Sequence, residues 1–353
     1  MKIKSINAYL KDLGNNRPYT IAFKTVSTVN NAIVEIELEN GIIGRGSGNP
    51  SEYVVGENLT STMQELNKVD FIVGRDIRQF YSILNDIQEK LPKNPAARAA
   101  LDIAIHDAFT QYLDVPLALF LGQKVKSLPT SVTIGIKNVE DTVEEAQEYY
   151  DMGFRVLKVK TGLNVEEDIA RMKKIREVFK DEFLIRVDAN QGYSVADLTK
   201  FFKETAVDNI ELIEQPFKAK NFDDFKNLPA DIKEIIAVDE SLINPNNAFV
   251  LASPPAASGI FNIKLMKSGG IYPGRQIATI AQASNTTLMW GCNDESAISI
   301  SAALHAGLGF SNTKYLDLDG SLDLIEDVVS GGFDIKDGWM TPTGKSGLGV
   351  TGK

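Results

Sequence analysis

Cysteine, histidine and basic runs are scarce in this chain. Its 353 residues include one Cys, two His, and 37 Lys plus Arg against 47 Asp plus Glu. The lone Cys292 cannot pair within the chain, so a disulfide framework is excluded and a reducing, cytoplasmic setting is expected. Taken alone, Cys292 reads as a small buried apolar residue. A formal net charge of −10 with no Lys/Arg-rich run makes nucleic acid and anionic membrane poor partners. No apolar stretch reaches the roughly 18 residues that a membrane span needs. The first residues, MKIKSINAYLKDLG, have neither a long apolar core nor a small-residue cleavage site, so no signal peptide is expected. His106 and His305 both lie in apolar, helix-like segments and read as structural.

What is present falls into two rhythms. Residues 30–39 partly alternate apolar and polar, and Asn40-Gly41 follows. That pair predicts a hairpin with a tight primed turn, positive φ at both central residues. Apolar spacing near 3.6 predicts helices over 58–69, 76–90 and 95–113. An α+β domain is therefore expected first. GRGSG (44–48) superficially suggests a phosphate loop, but it opens no helix and reads as a turn. From about residue 130, short apolar runs alternate with helical stretches. Strands are expected at 130–136, 155–160, 183–187, 210–213, 234–238, 259–264, 286–290 and 314–318. Eight such units argue for an α/β fold, parallel strands closed into a TIM-type barrel. A doubly wound open sheet would want a Gly-rich phosphate turn after its first strand, and Thr133-Ile134-Gly135 is not one. The tail TPTGKSGLGVTGK is too rich in Gly and Thr for a helix and by itself reads as a frayed end.

The informative residues sit at the expected C-terminal ends of the barrel strands, where barrel active sites are built. Lys158 and Lys160 end the second strand. The third runs into Asp188, the fourth into Glu214 and the fifth into Asp239, and the sixth ends at Lys264. From Lys160 onward the spacing is 25 to 28 residues, one strand–helix unit each. The order is base, acid, acid, acid, base. Three adjacent carboxylates repel one another unless a cation compensates them. An all-oxygen set without His or Cys points to one Mg²⁺ per subunit rather than zinc. Strands two and six lie on opposite sides of a closed barrel. Lys160 and Lys264 would then flank a substrate held over the metal, one amine per face, which suits proton removal and return. Lys158 and the cation would both depress the pKa of Lys160.

KVK (158–160), VDANQGY (187–193), IEQP (213–216), VDES (238–241), KLMKSGG (264–270) and GCNDES (291–296) together resemble the signatures of the enolase superfamily, within it the muconate-lactonizing subgroup. The helix 95–122 is similar to that family's link from cap to barrel. The resemblance covers essentially the whole chain. It implies a modified TIM barrel, (β/α)₇β, over 125–322, an N-terminal α+β capping domain over 1–124, and a C-terminal segment, 323–353, returning to the cap. It also implies Asp188, Glu214 and Asp239 as Mg²⁺ ligands, Lys160 and Lys264 as the acid/base pair, and Lys158 as the tuner. The seventh-strand segment TTLMWGC lacks the His of mandelate-racemase-like members. Asp317-Leu318-Asp319 places two carboxylates at i and i+2, facing the same way on a strand. As a pattern it is also a plain strand end; in dipeptide epimerases of this family a matching DxD binds the free ammonium of the substrate.

The implied activity is therefore a dipeptide epimerase, an isomerase moving the α-proton of the second residue through a metal-stabilised enediolate. L-Ala-D/L-Glu is the expected substrate. The cap segments 19–28 and 48–55 would cover the site, with Lys24 supplying charge where some Ala-Glu epimerases carry an Arg, near Ser27. Thr133, Asn190, Cys292 and Glu295 complete the expected substrate contacts. The competing readings are an o-succinylbenzoate synthase or muconate cycloisomerase on the same scaffold, a Schiff-base aldolase, and a non-catalytic barrel. Homo-oligomers are common in such families, so a second copy is a candidate partner, though no interface signal stands out.

Overall fold

The computed structural model describes the chain except residues 18, 22, 23, 27, 207 and 209, and of 19–21 and 24–26 it describes the backbone alone. Among the described residues no helix is long and apolar enough to cross a membrane.

The chain opens with a three-stranded antiparallel sheet of Ile3–Asp12, Asn30–Leu38 and Ile43–Gly48, with Asn30–Leu38 in the middle, and a separate two-stranded pair, Tyr19–Ile21 with Lys24–Val26, lies between its first two strands in sequence. The expected hairpin joins Asn30–Leu38 to Ile43–Gly48, but by a different turn. Gly41 has φ 86° and Asn40 does not share the positive φ. Gly41 N donates to Leu38 O and Leu38 N to Ile42 O. This is a turn ending in a left-handed glycine, not a primed two-residue turn. GRGSG is likewise not a turn. It belongs to the strand Ile43–Gly48, whose partner register runs from Ala32↔Gly48 to Glu37↔Ile43. The reason lies in the helix Pro95–Tyr112. A Cβ on Gly44, Gly46 or Gly48 would run into the backbone carbonyls of Ala104, Ala100 and Ala96 respectively. Two strand residues rise about 6.6 Å and four helix residues about 6 Å, so a glycine at every second strand position meets an alanine at every fourth helix position. Shorter helices Leu59–Leu66 and Phe80–Lys90 complete this part.

Eight parallel strands follow: Val132–Ile134, Val156–Lys160, Leu184–Asp188, Ile210–Glu214, Ile236–Val238, Ile260–Lys264, Thr287–Gly291 and Thr313–Asp317. They pair in sequence order. The parallel bridge Thr130↔Leu316 and the bond from Ser131 N to Leu316 O close the first strand onto the eighth. Helices connect the strands through the seventh crossover, Ala297–Gly307, and none follows the eighth. The α/β barrel is thus of (β/α)₇β form. The second strand is buried at every position, as expected when helices cover the outside and side chains fill the inside.

The tail is ordered. Trp339–Pro342 pairs with Phe333–Lys336 and Leu128–Pro129, and Val350–Gly352 pairs with Val329–Gly331. Leu348 N donates to Asp107 Oδ1 at 2.8 Å, on the long helix Pro95–Tyr112. Backbone pairing, invisible in a Gly/Thr-rich string, is what orders it.

Both histidines are structural in placement. His106 bonds through Nδ1 to Asp102 O at 2.8 Å. His305, buried in Ala297–Gly307, is pushed down from 6.5 to about 4 by burial, which outweighs a backbone contact with Gly332. The folded state then binds fewer protons than the unfolded state between those pH values. Its stability is complete above about pH 6.5 and falls as pH drops towards 4. On the order of 3 kcal/mol is involved. His305→Leu should therefore flatten the acid side of the urea-unfolding free energy by about 1 kcal/mol per pH unit. An unchanged slope between pH 6 and 4.5 would contradict this.

Candidate active site

A cavity of about 650 Å³ opens at the C-terminal end of the barrel. Lys158, Lys160, Asn190, Asp239, Lys264 and Asp317 line its floor, together with Thr133, Cys292 and Asp319. Asn49, Pro50, Ser51 and Val54 reach it from the cap, where the 48–55 segment was expected. Lys24 has a side chain outside the described set, and Ser27 lies outside the described residues altogether.

The three acids lie on neighbouring strand ends: Glu214 is in register with Asp188 and Ala237, and Asp239 is two residues further on. The chain bends sharply just past them. Asn190, Gln191 and Gln215 all carry positive φ, a conformation non-glycine residues hold only when their surroundings enforce it. Gln215 shows how. Its amide oxygen accepts from Asp239 N at 2.9 Å and Ser241 N at 3.2 Å. Its amide nitrogen donates to Phe217 O at 2.8 Å and Ser241 Oγ at 2.9 Å. One side chain thus ties the end of the fourth strand to the end of the fifth.

Lysines compensate the acids. Lys158 Nζ lies 2.7 Å from Glu214 Oε2, 2.7 Å from Asp317 Oδ2 and 3.1 Å from Asp188 Oδ2. Burial alone would push this lysine down, but the three carboxylates outweigh it and hold it well above the ordinary lysine range. Lys160 Nζ donates to Asp188 Oδ2 at 2.7 Å. Across the ring, Lys264 Nζ lies 3.0 Å from Asp239 Oδ2. It too is raised despite burial, chiefly by Asp239. Strands two and six are four places apart in a ring of eight, so the two amines approach the cavity from opposed walls.

Asp188 and Glu214 are buried beneath these lysines and do not reach the cavity wall. As the side chains stand, no group of three or more Asp, Glu, His or Cys among the described residues is arranged to hold a metal. The donor chemistry nevertheless suits a hard divalent cation. All three side chains offer oxygen only, as Mg²⁺ prefers. Glu214 Oε2 has no hydrogen-bond partner of good geometry. Burial, then repulsion from Asp188 and Asp239, pushes Glu214 up to about 7. Asp188 and Asp239 are held low by their lysines, so Glu214 is the member of the trio that the surrounding charge leaves under-compensated.

The remaining expected residues are divided. Asp317 and Asp319 share the cavity but have different partners. Asp317 accepts from Lys158 Nζ and from Ser131 Oγ at 2.7 Å, whereas Asp319 Oδ2 accepts from Thr133 N at 2.8 Å. Burial and Asp317 push Asp319 up to about 7. Cys292 Sγ donates to Asp317 O at 3.2 Å, and burial raises its thiol well above the usual range. Glu295 does not line the cavity. It is buried and accepts from Asn293 N at 2.7 Å, shaping the loop behind the wall.

Sequence reasoning missed two groups. Lys267, in the KLMKSGG run, is buried and grips Asp239 through Oδ1 and the carbonyl oxygen. Also lining the cavity are Asp141, Glu144, Glu145, Glu148, Asp294 and Asp323, opposed by Arg17 and Lys137. Arg17 Nη1 lies 2.8 Å from Glu148 Oε2, and Lys137 Nζ 2.7 Å from Glu145 Oε2. The acids of the helix Val139–Asp151 recur at helical spacing on a face that is largely exposed and also borders the cavity.

The chain matches known families along nearly its whole length. The model for the mandelate racemase / muconate lactonizing enzyme N-terminal domain covers residues 5–122, and an enolase C-terminal domain-like model covers residues 141–353. The L-Lys-D/L-Arg epimerase of Desulforapulum autotrophicum is 49% identical, with 99% of both chains covered. The L-Ala-D/L-Glu epimerase of Thermotoga maritima is 34% identical, covering 96% of this chain and 97% of its own. The crystal structure of a dipeptide epimerase from Methylococcus capsulatus complexed with Mg and the dipeptide L-Arg-D-Lys has a TM-score of 0.98 and 48% identity, with 99% of this chain and 100% of that chain covered.

Proposed function

The chain belongs to the mandelate racemase / muconate lactonizing enzyme family of the enolase superfamily and is an isomerase of the racemase/epimerase kind, and from that premise we propose that it epimerises dipeptides carrying cationic side chains. The observation that carries the reading is the pair of buried lysines, Lys160 and Lys264, on opposed barrel strands above a carboxylate trio. In this reading residues 1–124 cap the barrel of 125–322, and 323–353 braces the cap.

Asp188, Glu214 and Asp239 would hold a Mg²⁺ ion, as the structure of the Methylococcus capsulatus relative is complexed with Mg. Mg²⁺, when bound, supplies fixed positive charge beside the substrate carboxylate, where negative charge builds as the α-proton leaves. This chain's residues do the rest. One lysine takes the α-proton as an amine, and the other returns a proton to the opposite face as an ammonium. Lys158, held by three carboxylates, stays charged and balances the floor. Asp319, and Asp317 beside it, receive the substrate ammonium. Because Asp317 also anchors Lys158, Asp317→Asn would damage turnover of any substrate; Asp319→Asn is the cleaner test of ammonium recognition.

The acidic lining contributed by Asp141, Glu144, Glu145, Glu148, Asp294 and Asp323 favours cationic over acidic side chains. Relatives named for L-Lys-D/L-Arg are also more similar than those named for L-Ala-D/L-Glu. With Mg²⁺ present in D₂O, Lys- and Arg-containing dipeptides should exceed L-Ala-L-Glu in kcat/KM for α-proton loss by about tenfold or more, as roughly 1.4 kcal/mol of charge complementarity gives. Proton NMR on a dipeptide panel measures this. A preference for Ala-Glu would overturn the cationic assignment, and inactivity on every dipeptide would overturn the epimerase.

A further inference from the structure

Behind Lys160 lies a buried ionic bracket that the proton-transfer chemistry does not use. The helix Val165–Phe179 follows the second barrel strand and turns Asp168 and Arg171 back towards that strand's end, where both are buried. Arg171 Nη1 donates to the carbonyl oxygen of Lys160 at 2.9 Å, and Nη2 donates to Asp168 Oδ1. Asp168 Oδ2 accepts from Gly162 N at 3.0 Å and from the Tyr193 hydroxyl at 2.8 Å. Tyr193 arrives from the loop that follows Asp188. Gly162 itself sits at φ 102°, and a Cβ there would run into the Ala189 carbonyl. The bracket therefore grips the backbone on both sides of Thr161, immediately beyond Lys160.

A buried ion pair is weak evidence for stability, because desolvation costs much of what attraction returns. Its geometric effect is clearer. A lysine has a long flexible stem, so the position of Nζ depends on how firmly the backbone beneath it is aimed. Lys264 is aimed by other means. It precedes the short helix Leu265–Ser268, and its carbonyl accepts from Ser268 Oγ at 3.3 Å. Lys267 fixes the neighbouring Asp239. Among the described residues no hydrogen bond or ion pair joins Asp168, Arg171 or Tyr193 to Lys264 or Asp239.

We propose that Asp168, Arg171 and Tyr193 are positioning residues for Lys160 alone, so that the two faces of the substrate are supported independently. This rests on the epimerase reading.

Arg171→Lys keeps the charge but loses the planar fork, and Tyr193→Phe removes one hydrogen bond while keeping the ring. Each variant is given either epimer of a dipeptide in D₂O with Mg²⁺, and Lys160→Ala identifies the epimer whose α-proton goes to Lys160. Exchange of that epimer should fall about tenfold or more in Arg171→Lys, since a misplacement of about 1 Å can cost on the order of 10²-fold. Tyr193→Phe should shift it the same way by less, and the opposite epimer should stay within about threefold of the unaltered chain in both. Equal slowing of both epimers, or of neither, overturns the proposal. A second measurement needs no substrate. Amide hydrogen exchange should show lost protection at residues 160–163 in both variants and unchanged protection at 259–268. Retained protection at Gly162 overturns the bracket. If the unaltered chain exchanges no dipeptide, the epimerase reading fails, and the amide protection alone decides whether the bracket holds Lys160.

Discussion

Lys160→Ala should lower epimerisation by roughly 10²–10⁴-fold, the usual contribution of a positioned acid or base. One epimer should nevertheless still exchange its α-proton with solvent through Lys264. The expectation follows from the opposed placement of the two amines. Inversion needs one group to take the proton and another to return it on the far face, whereas exchange without inversion needs only the first. Lys264→Ala should show the mirror image, sparing the other epimer. Measuring α-proton loss and product epimer by NMR separates the two events. Should both single variants abolish exchange of both epimers equally, the two lysines would not be acting on separate faces. Substitution of Lys158 should not give this split. Its ammonium touches Asp188, Glu214 and Asp317 together, so its loss removes the common charge balance of the floor.

Stripping divalent metal with EDTA should reduce turnover by on the order of 10³-fold or more, and Mg²⁺ should restore it. The physical reason is the state of Glu214, buried between two other acids and pushed up to about 7. Three carboxylates in one low-dielectric place are kept by a protein when a cation uses them. The same requirement has a readout independent of turnover. Mg²⁺ should raise the thermal midpoint of the unaltered chain, by about 2.7 kcal/mol of stabilisation at one hundred times its dissociation constant. Glu214→Gln should lose most of that shift. Activity insensitive to EDTA, or a Mg²⁺-induced shift that survives in Glu214→Gln, would remove the metal from the scheme.

The order of elements and the identity of the charged strand ends were legible in the primary structure because both are local. Alternating strand and helix units carry their own hydrophobic periods. A charge recurring every 25 to 28 residues, from Lys160 to Lys264, marks one position per unit. That suffices to place Asp188, Glu214 and Asp239 side by side and the two lysines apart.

Local pattern could not show what each group meets. GRGSG looks like a turn until the alanine-lined face of Pro95–Tyr112 explains why a strand there must be glycine-rich. Asp317 looks like half of an ammonium clamp, yet it also holds Lys158. Glu295 sits in a signature run and still points behind the wall. The acids of Val139–Asp151 look like an ordinary solvated helix face, and only the folded barrel shows that this exposed face also borders the cavity.

The linear chain, then, determined the barrel, the register of its charged rim and the presence of an acid trio between two amines, since periodicity and spacing are properties of neighbours in sequence. Tertiary structure alone decided which carboxylate each amine touches, which acids line the cavity and which side chains bond the backbone beside Lys160. The contacts among the acids, amines and Tyr193 join residues from about 25 to nearly 190 positions apart, those of Asp168 and Arg171 with Lys160 and Gly162 join closer ones, and the energies of all of them depend on burial that exists only after the ring has closed.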